Sequence, residues 1–188
     1  MIIMCDIDNI LNDLTEKALD IYNGHWNKNI KSADITSYNF SDCLSQLDAD
    51  GIIALFKNRG LWDSLKPLQN SQNALKQLIK QGHQIYLATA TDPINFNWKV
   101  DWLRRYFPFI PEDNVIRIMN KSLLKTDVII DDSLDNLIGS FAYRICLNYP
   151  WNQNELKDYA YDIRRAYSWD DILNIINDIE KEMKKWEK

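Results

Sequence analysis

Short, nearly continuous apolar runs of strand length recur along the chain, separated by stretches whose apolar residues return at helical spacing. This alternation restricts the fold more than any other feature. The runs are Ile2 to Cys5, Gln84 to Ala88, Val115 to Ile118, Val128 to Ile130 and Arg144 to Leu147. Strands that are apolar on both faces belong inside a parallel sheet, and parallel strands need crossovers, which helices supply. Helices are expected from Asn73 to Lys80, with Ala74, Leu75, Leu78 and Ile79 on one face, and from Trp98 to Tyr106, with Val100, Leu103 and Phe107 recurring similarly. A last helix should start at a Ser168 cap with Asp171 three residues on, and carry Ile172, Ile175, Ile176, Ile179 and Met183 as a stripe before the basic end "KEMKKWEK". The expected fold class is α/β, a three-layer sandwich with a central parallel sheet.

One segment breaks the alternation. From Asn12 to about Asn70 there is no convincing strand, only helical stretches ("LTEKALDIYN", "SDCLSQL", "IIALFKNRGLW") parted by polar turns. The expected division is therefore a core of residues 1–11 and 71–188 with a small helical cap, 12–70, inserted after the first strand. No repeat, low-complexity tract or linker is evident, and 188 residues with 46% hydrophobic content suit one domain with an insertion. Lysine and arginine number 22 against 27 acidic residues, a net charge of −5, without a basic run, which argues against a nucleic acid polymer as partner. Cys5, Cys43 and Cys146 are odd in number and lack metal or redox spacing, so they read as packing residues in a reducing compartment. No window approaches the roughly 20 apolar residues that span a bilayer, so a soluble, cytoplasmic protein without a membrane partner is expected.

The strand ends carry the chemistry. Asp6 and Asp8 follow the first run, and residues two apart in an extended stretch point the same way, so two negative charges converge unless a cation offsets them. An isolated D-x-D can equally be a solvated loop. The second run ends in "IYLATATD", with Thr89 and Thr91, and the fourth in "VIIDDSLD", with Asp131 and Asp132. In an open parallel sheet, ligands bind beyond the carboxyl ends of the strands. A rim built only for packing has no need of four carboxylates. Thr91 reads as a cap for the next turn. His25 and His83 read as surface or capping residues, since they lack ligand spacing.

The series "DIDNIL", "YLATAT" and Lys121 ten residues before "IIDD" resembles the four motifs of the haloacid dehalogenase superfamily of phosphotransferases. Within it, "DITSYNF", "WKVDWLRRYFPFIP", "KSLLKTDVIIDD" and "NYPWN" resemble the 5'(3')-deoxyribonucleotidase family of the cytosolic type C kind, over Met1 to about Trp151. The resemblance implies a Rossmann-like core with a cap. It further implies a magnesium-dependent phosphatase that hydrolyses a small phosphate monoester, a deoxyribonucleoside monophosphate, through an aspartyl phosphate.

In those terms Asp6 is the nucleophile and Asp8 the general acid and base. Magnesium is held by Asp6, the Asp8 carbonyl and Asp132, with Asp131 supporting them. The Thr89 hydroxyl, the backbone at Ala90 and Lys121 hold phosphate, while Lys125 reads as a solvated surface residue. The departures are Ala90 where relatives carry serine, Asn9 where many members carry glycine, Ser133 where the mitochondrial relative has arginine, and "PLQNSQNAL" without Pro-Gly. Among the cap aromatics Tyr22, Trp26, Tyr38, Phe40, Phe56 and Trp62, those placed in the substrate pocket are Phe40 and Trp62. A phosphatase for another small metabolite such as a sugar phosphate, or a binding module that kept the fold, remain the alternatives. A homodimer is left open.

Overall fold

The computed structural model describes residues 1–153 and 162–186. Six parallel strands form one sheet: β1 (Ile2–Cys5), β2 (Gln84–Thr89), β3 (Val115–Arg117), β4 (Lys125–Asp131), β5 (Ser140–Leu147) and β6 (Ile163–Ala166). Their spatial order is β3-β2-β1-β4-β5-β6. The chain thus builds outward from β1 in one direction, then returns to its other side at β4. In register, Ile3 faces Ile85 on β2 and Val128 on β4, and Cys5 faces Leu87 and Ile130. The Asp6 N–H donates to the Ile130 carbonyl at 2.9 Å, which carries the β1–β4 ladder into the first acidic residue.

Side chains alternate across the pleat and divide the core in two. Ile3, Cys5, Ile85, Leu87, Val128, Ile130, Ile145 and Leu147 face one large apolar cluster, while Met4, Ala88, Ile129 and Cys146 face a smaller one under Leu134, Leu137 and Phe141. Helices α4 (Ser71–Lys80), α5 (Pro93–Tyr106) and α6 (Trp169–Trp186) contribute to the large cluster. Ile172, Ile176 and Ile179 of α6 are fully buried, which stabilises the fold by about 1.5–3 kcal/mol for each side chain relative to exposure. The smaller cluster is covered by a 3₁₀ turn, Leu134–Leu137, rather than by a long helix. Cys5 and Cys146 are buried and Cys43 half-buried, all three as free thiols.

Between β1 and α4 the chain forms α1 (Leu14–Trp26), α2 (Gln46–Leu55) and α3 (Arg59–Ser64), with a 3₁₀ turn at Phe40–Asp42. Ser45 caps α2, accepting from Asp48 N, and Asn58 caps α3, accepting from Gly60 N. Ala18, Tyr22, Ile52, Leu61 and Trp62 from these helices join the same large cluster as the strands.

Several elements differ from expectation. α5 starts five residues earlier than the apolar spacing predicts, because Asp92 accepts from Asn95 N and Pro93 occupies the first turn, a start signal independent of hydrophobicity. Thr91 is therefore not the cap; its carbonyl accepts from Arg117 Nη1 at 3.1 Å. α4 starts at Ser71 rather than Asn73, and Ile79 on its expected inner face is 38% exposed. β6 has no continuous apolar run. As an edge strand it carries Arg164, paired with Glu182 at 2.7 Å, and Arg165, which donates to Asn148 and Asn152. His83 is buried rather than at the surface, between the N-terminal amine and Glu180, whereas His25 is exposed. Ser168 does cap α6, its Oγ accepting from Asp171 N at 3.1 Å. The last two residues of "KEMKKWEK" lie outside the described residues. No helix among the described residues is long and apolar enough to cross a membrane.

Candidate active site

The return of the chain from β3 to β4 places the carboxyl ends of β1 and β4 side by side, which is the switch point where an open α/β sheet leaves a crevice. Asp6 leaves β1 there, and Asp131 and Asp132 leave β4. Thr89 ends the neighbouring β2. One carboxylate oxygen from each of Asp6, Asp131 and Asp132 lies within 4.8 Å of the others, and all three residues are buried.

Two lysines are drawn into this acidic rim. Lys121, on the turn after β3, is 2% exposed and donates to Asp6 Oδ1 at 2.5 Å and to Asp131 Oδ2 at 2.6 Å. Lys99, on α5, is equally buried and donates to Asp8 Oδ2 at 2.5 Å and to Thr89 Oγ1 at 2.7 Å. Four carboxylates against two ammonium groups leave the rim with a formal excess of two negative charges.

Burial drives the electrostatics. It pushes the Asp6 carboxyl up to about 7, against the opposing pull of Lys121 and with the help of the Asp131 and Asp8 charges. Burial likewise holds Asp132 well above the carboxylate range, and the Asp131 and Asp6 charges add to it. For Lys121 burial works against the charge, but Asp131 and Asp6 outweigh it and hold the ammonium above the ordinary lysine value. The lysine is therefore a fixed positive charge. A rim whose acids resist ionisation is one that welcomes a cation.

The donor sets separate the two acids after β4. Asp131 is saturated: Oδ2 takes Lys121, while Oδ1 takes Ser133 N at 2.9 Å and Asn136 Nδ2 at 3.0 Å. Asp132 uses Oδ2 for Asn9 Nδ2 at 3.2 Å and Trp151 Nε1 at 3.1 Å, and its Oδ1 meets no donor among the described residues. Of the two, Asp132 has the oxygen to spare for a hard cation. The carboxylate oxygens suit magnesium or calcium rather than a soft metal.

A cavity of about 370 Å³ opens above the rim, lined by Asp6, Asp8, Thr89, Ala90, Lys121 and Asp132, and on the other side by Tyr38, Phe40, Phe56 and Trp62. Phe40 and Phe56 pack at 6.0 Å between centroids. Trp62 lies under the Lys99 ammonium, 5.2 Å from its centroid, and donates Nε1 to the Phe56 carbonyl at 2.8 Å. Tyr22 and Trp26 do not line the cavity; Tyr22 is buried with its hydroxyl on Asp48, and Trp26 is exposed. Lys125 is exposed at the start of β4.

Every residue singled out for the site thus reaches this cavity or its floor. Lys99, Asn9 and Trp151 do so without having been singled out for a role. Lys99 had a readable signal: it falls on the buried stripe Asn95, Lys99, Trp102, Leu103 of α5, where a lysine needs a buried partner. Asn9 and Trp151 had no such signal, since their partner Asp132 is 123 residues away from Asn9 and meets Trp151 only because β4 and β5 pair.

A switch-point crevice floored by aspartates, a threonine and a lysine from successive strand ends defines a phosphoric monoester hydrolase of the haloacid dehalogenase superfamily. The fold agrees: a haloacid dehalogenase-like protein from Agrobacterium tumefaciens matches with a TM-score of 0.65 at 11% identity, covering 95% of this chain and 98% of that one. A hydrolase of the same superfamily from Deinococcus radiodurans, solved with bound phosphate and sodium, matches with a TM-score of 0.65 at 12% identity over 91% and 92%. The family of 5' nucleotidase, deoxy (pyrimidine), cytosolic type C proteins matches residues 1–183, and the chain belongs to it. The 5'(3')-deoxyribonucleotidase of Bacillus subtilis is 29% identical over 172 residues, 91% of this chain and 95% of that protein, and the Bacillus phage SPbeta enzyme matches to the same extent.

Proposed function

We propose that the protein is a magnesium-dependent 5'(3')-deoxyribonucleotidase that works through an aspartyl phosphate on Asp6, with residues 12–70 acting as its cap. The observation that carries this reading is the division of labour between the two lysines. Lys121 fixes Oδ1 of Asp6 and leaves Oδ2 to attack, while Lys99 holds Asp8 beside Thr89 on the neighbouring strand end.

In the first displacement Asp6 Oδ2 forms a bond to phosphorus, the bond to the sugar oxygen breaks, and Asp8 supplies the proton that oxygen needs. In the second, Asp8 takes a proton from water, whose oxygen bonds to phosphorus and releases the aspartate. Lys121, Lys99, the Thr89 hydroxyl and the Ala90 backbone meet the charge of the transferring group. Asp6, the Asp8 carbonyl and Asp132 would hold magnesium, which when bound offsets the negative charge of the rim and of the phosphate oxygens. Asp131, saturated by its own donors, keeps Lys121 in place.

The test is phosphate release from deoxyribonucleoside 5'- and 3'-monophosphates, with sugar phosphates alongside. Release that requires magnesium and disappears in Asp6→Asn is expected. Turnover of sugar phosphates without any nucleotide would replace the substrate assignment, and activity retained in Asp6→Asn would overturn the mechanism.

A further inference from the structure

Two walls of the cavity carry polar side chains left without partners. Asn95, on the first turn of α5, is 8% exposed, and Thr15, on the first turn of α1, is 4% exposed; both line the cavity. Their backbone N–H groups are committed, Asn95 N to Asp92 Oδ1 at 2.8 Å and Thr15 N to Asn9 Oδ1 at 3.0 Å. The Asn95 carboxamide and the Thr15 hydroxyl have no hydrogen-bond partner among the described residues. Neither group is sealed in the interior, since the one fully enclosed side-chain polar atom without a hydrogen-bond partner among those residues is Nε2 of His83, which faces Glu180. Both therefore open onto the cavity.

Most of the neighbouring polar side chains are already spent, although the Thr91 and Tyr38 hydroxyls on the same lining also have no hydrogen-bond partner among the described residues. Asn9 serves Asp132 and Thr15, Asn39 serves Ser41 and Asp42, Asp92 caps α5, and Asn136 serves Asp131. A polar side chain that the protein leaves unpaired at a cavity wall is available to a ligand that enters the cavity.

Their position says which part of the ligand. Asn95 lies one helical turn before Lys99 on the same face of α5, so its side chain starts about 5–6 Å from that of the lysine that reaches Asp8 and Thr89. Asn95 and Lys99 thus share one wall of the cavity. Tyr38, Phe40 and Phe56 line the same space and offer apolar faces to a planar ring. A ring held by its faces still has polar atoms on its edge. A carboxamide presents a donor and an acceptor side by side, which complements an edge with a carbonyl next to an N–H.

We propose that Asn95, with Thr15, reads the edge of the nucleobase and sets which nucleotides are accepted. The inference rests on the nucleotidase reading above and adds to it the residues that choose the base. Lys99 and Lys121 handle the phosphate, common to every substrate; Asn95 and Thr15 handle the part that varies.

The experiment compares kcat/KM for dTMP, for dTMP methylated at N3, and for deoxyribose 5-phosphate, in wild type, Asn95→Ala and Thr15→Val. Melting curves establish first that each variant is folded. Removing the carboxamide leaves a buried base edge unpaired, so Asn95→Ala should lower kcat/KM for dTMP by about 10- to 100-fold, mostly through KM. That loss should exceed the loss on deoxyribose 5-phosphate at least about tenfold, because the latter has no base to read. N3 methylation should penalise wild type and cost Asn95→Ala much less. Thr15→Val should show the same ranking with a smaller loss.

Equal losses on dTMP and deoxyribose 5-phosphate, or an N3-methyl penalty as large in Asn95→Ala as in wild type, would overturn the assignment. If wild type hydrolyses deoxyribose 5-phosphate and no nucleotide, the nucleotidase reading itself fails. That failure shows in the wild-type column alone.

Discussion

Lys99 Nζ bridges Asp8 Oδ2 and Thr89 Oγ1, at 2.5 and 2.7 Å, while its ammonium lies 5.2 Å above the centre of the Trp62 ring. One buried cation thus joins the ends of two strands to an aromatic of α3. Lys99→Met keeps most of the length and removes the charge, so Asp8 loses its partner and the aromatic face loses its cation. Turnover should fall on the order of a hundredfold, comparable to the loss of one preorganised charge contact. Steady-state kinetics on a folded variant is the check; near wild-type turnover would contradict it.

Lys121 and Lys125 are four residues apart and should behave oppositely. Lys121 is buried against Asp6 and Asp131, whereas Lys125 is exposed. Lys121→Ala strands two buried carboxylates and should be nearly inactive and less stable by roughly 3–5 kcal/mol. Lys125→Ala should stay within about 0.5 kcal/mol of wild type in stability. Urea unfolding and turnover measured side by side decide it.

Trp151 and Asn9 both donate to Oδ2 of Asp132, and by doing so leave Oδ1 turned to the rim. Trp151→Phe should weaken magnesium binding about 10- to 100-fold, the usual effect of losing an outer hydrogen bond to a ligand. The readout is a manganese titration followed by electron paramagnetic resonance, alongside the magnesium dependence of activity. An unchanged titration would mean that the indole N–H has no part in orienting the carboxylate.

His83 gives the fold a pH dependence remote from the rim. Burial pushes its pKa below 6.5, the N-terminal amine adds to this, and Glu180 opposes it. The unfolded chain therefore binds more protons just below pH 6.5, and stability falls as pH drops through that value. His83→Gln should flatten this part of the profile. Urea midpoints at pH 7.5 and 5.5 test it, and an equal drop in both proteins would rule the histidine out as the cause.

The strands at the centre of the sheet were legible because apolar runs on both faces have few other uses. β6 was not, because an edge strand buries less, and Arg164 and Arg165 break its run. The acidic rim was legible from four carboxylates and a threonine at the ends of runs. Lys99 needed the α5 register, and that register hid behind a start set by Asp92 and Pro93 rather than by hydrophobic spacing. The link from Trp151 to Asp132 exists only once β4 and β5 are neighbours. Lone polar groups such as the Asn95 carboxamide are invisible in sequence, since what marks them is the partner they lack.

The helices between β1 and α4 share one apolar cluster with the sheet, from Tyr22, Ile52 and Trp62 through to Ile3 and Ile130. The wall that surrounds a substrate is therefore also part of what keeps the chain folded. Changes that enlarge or reshape that wall, whether made in the laboratory or by selection, draw on the same reserve of stability. New substrate preferences should then arise first in variants already tolerant of heat, and exchanging the helices between β1 and α4 with those of a relative should call for compensating changes beneath them.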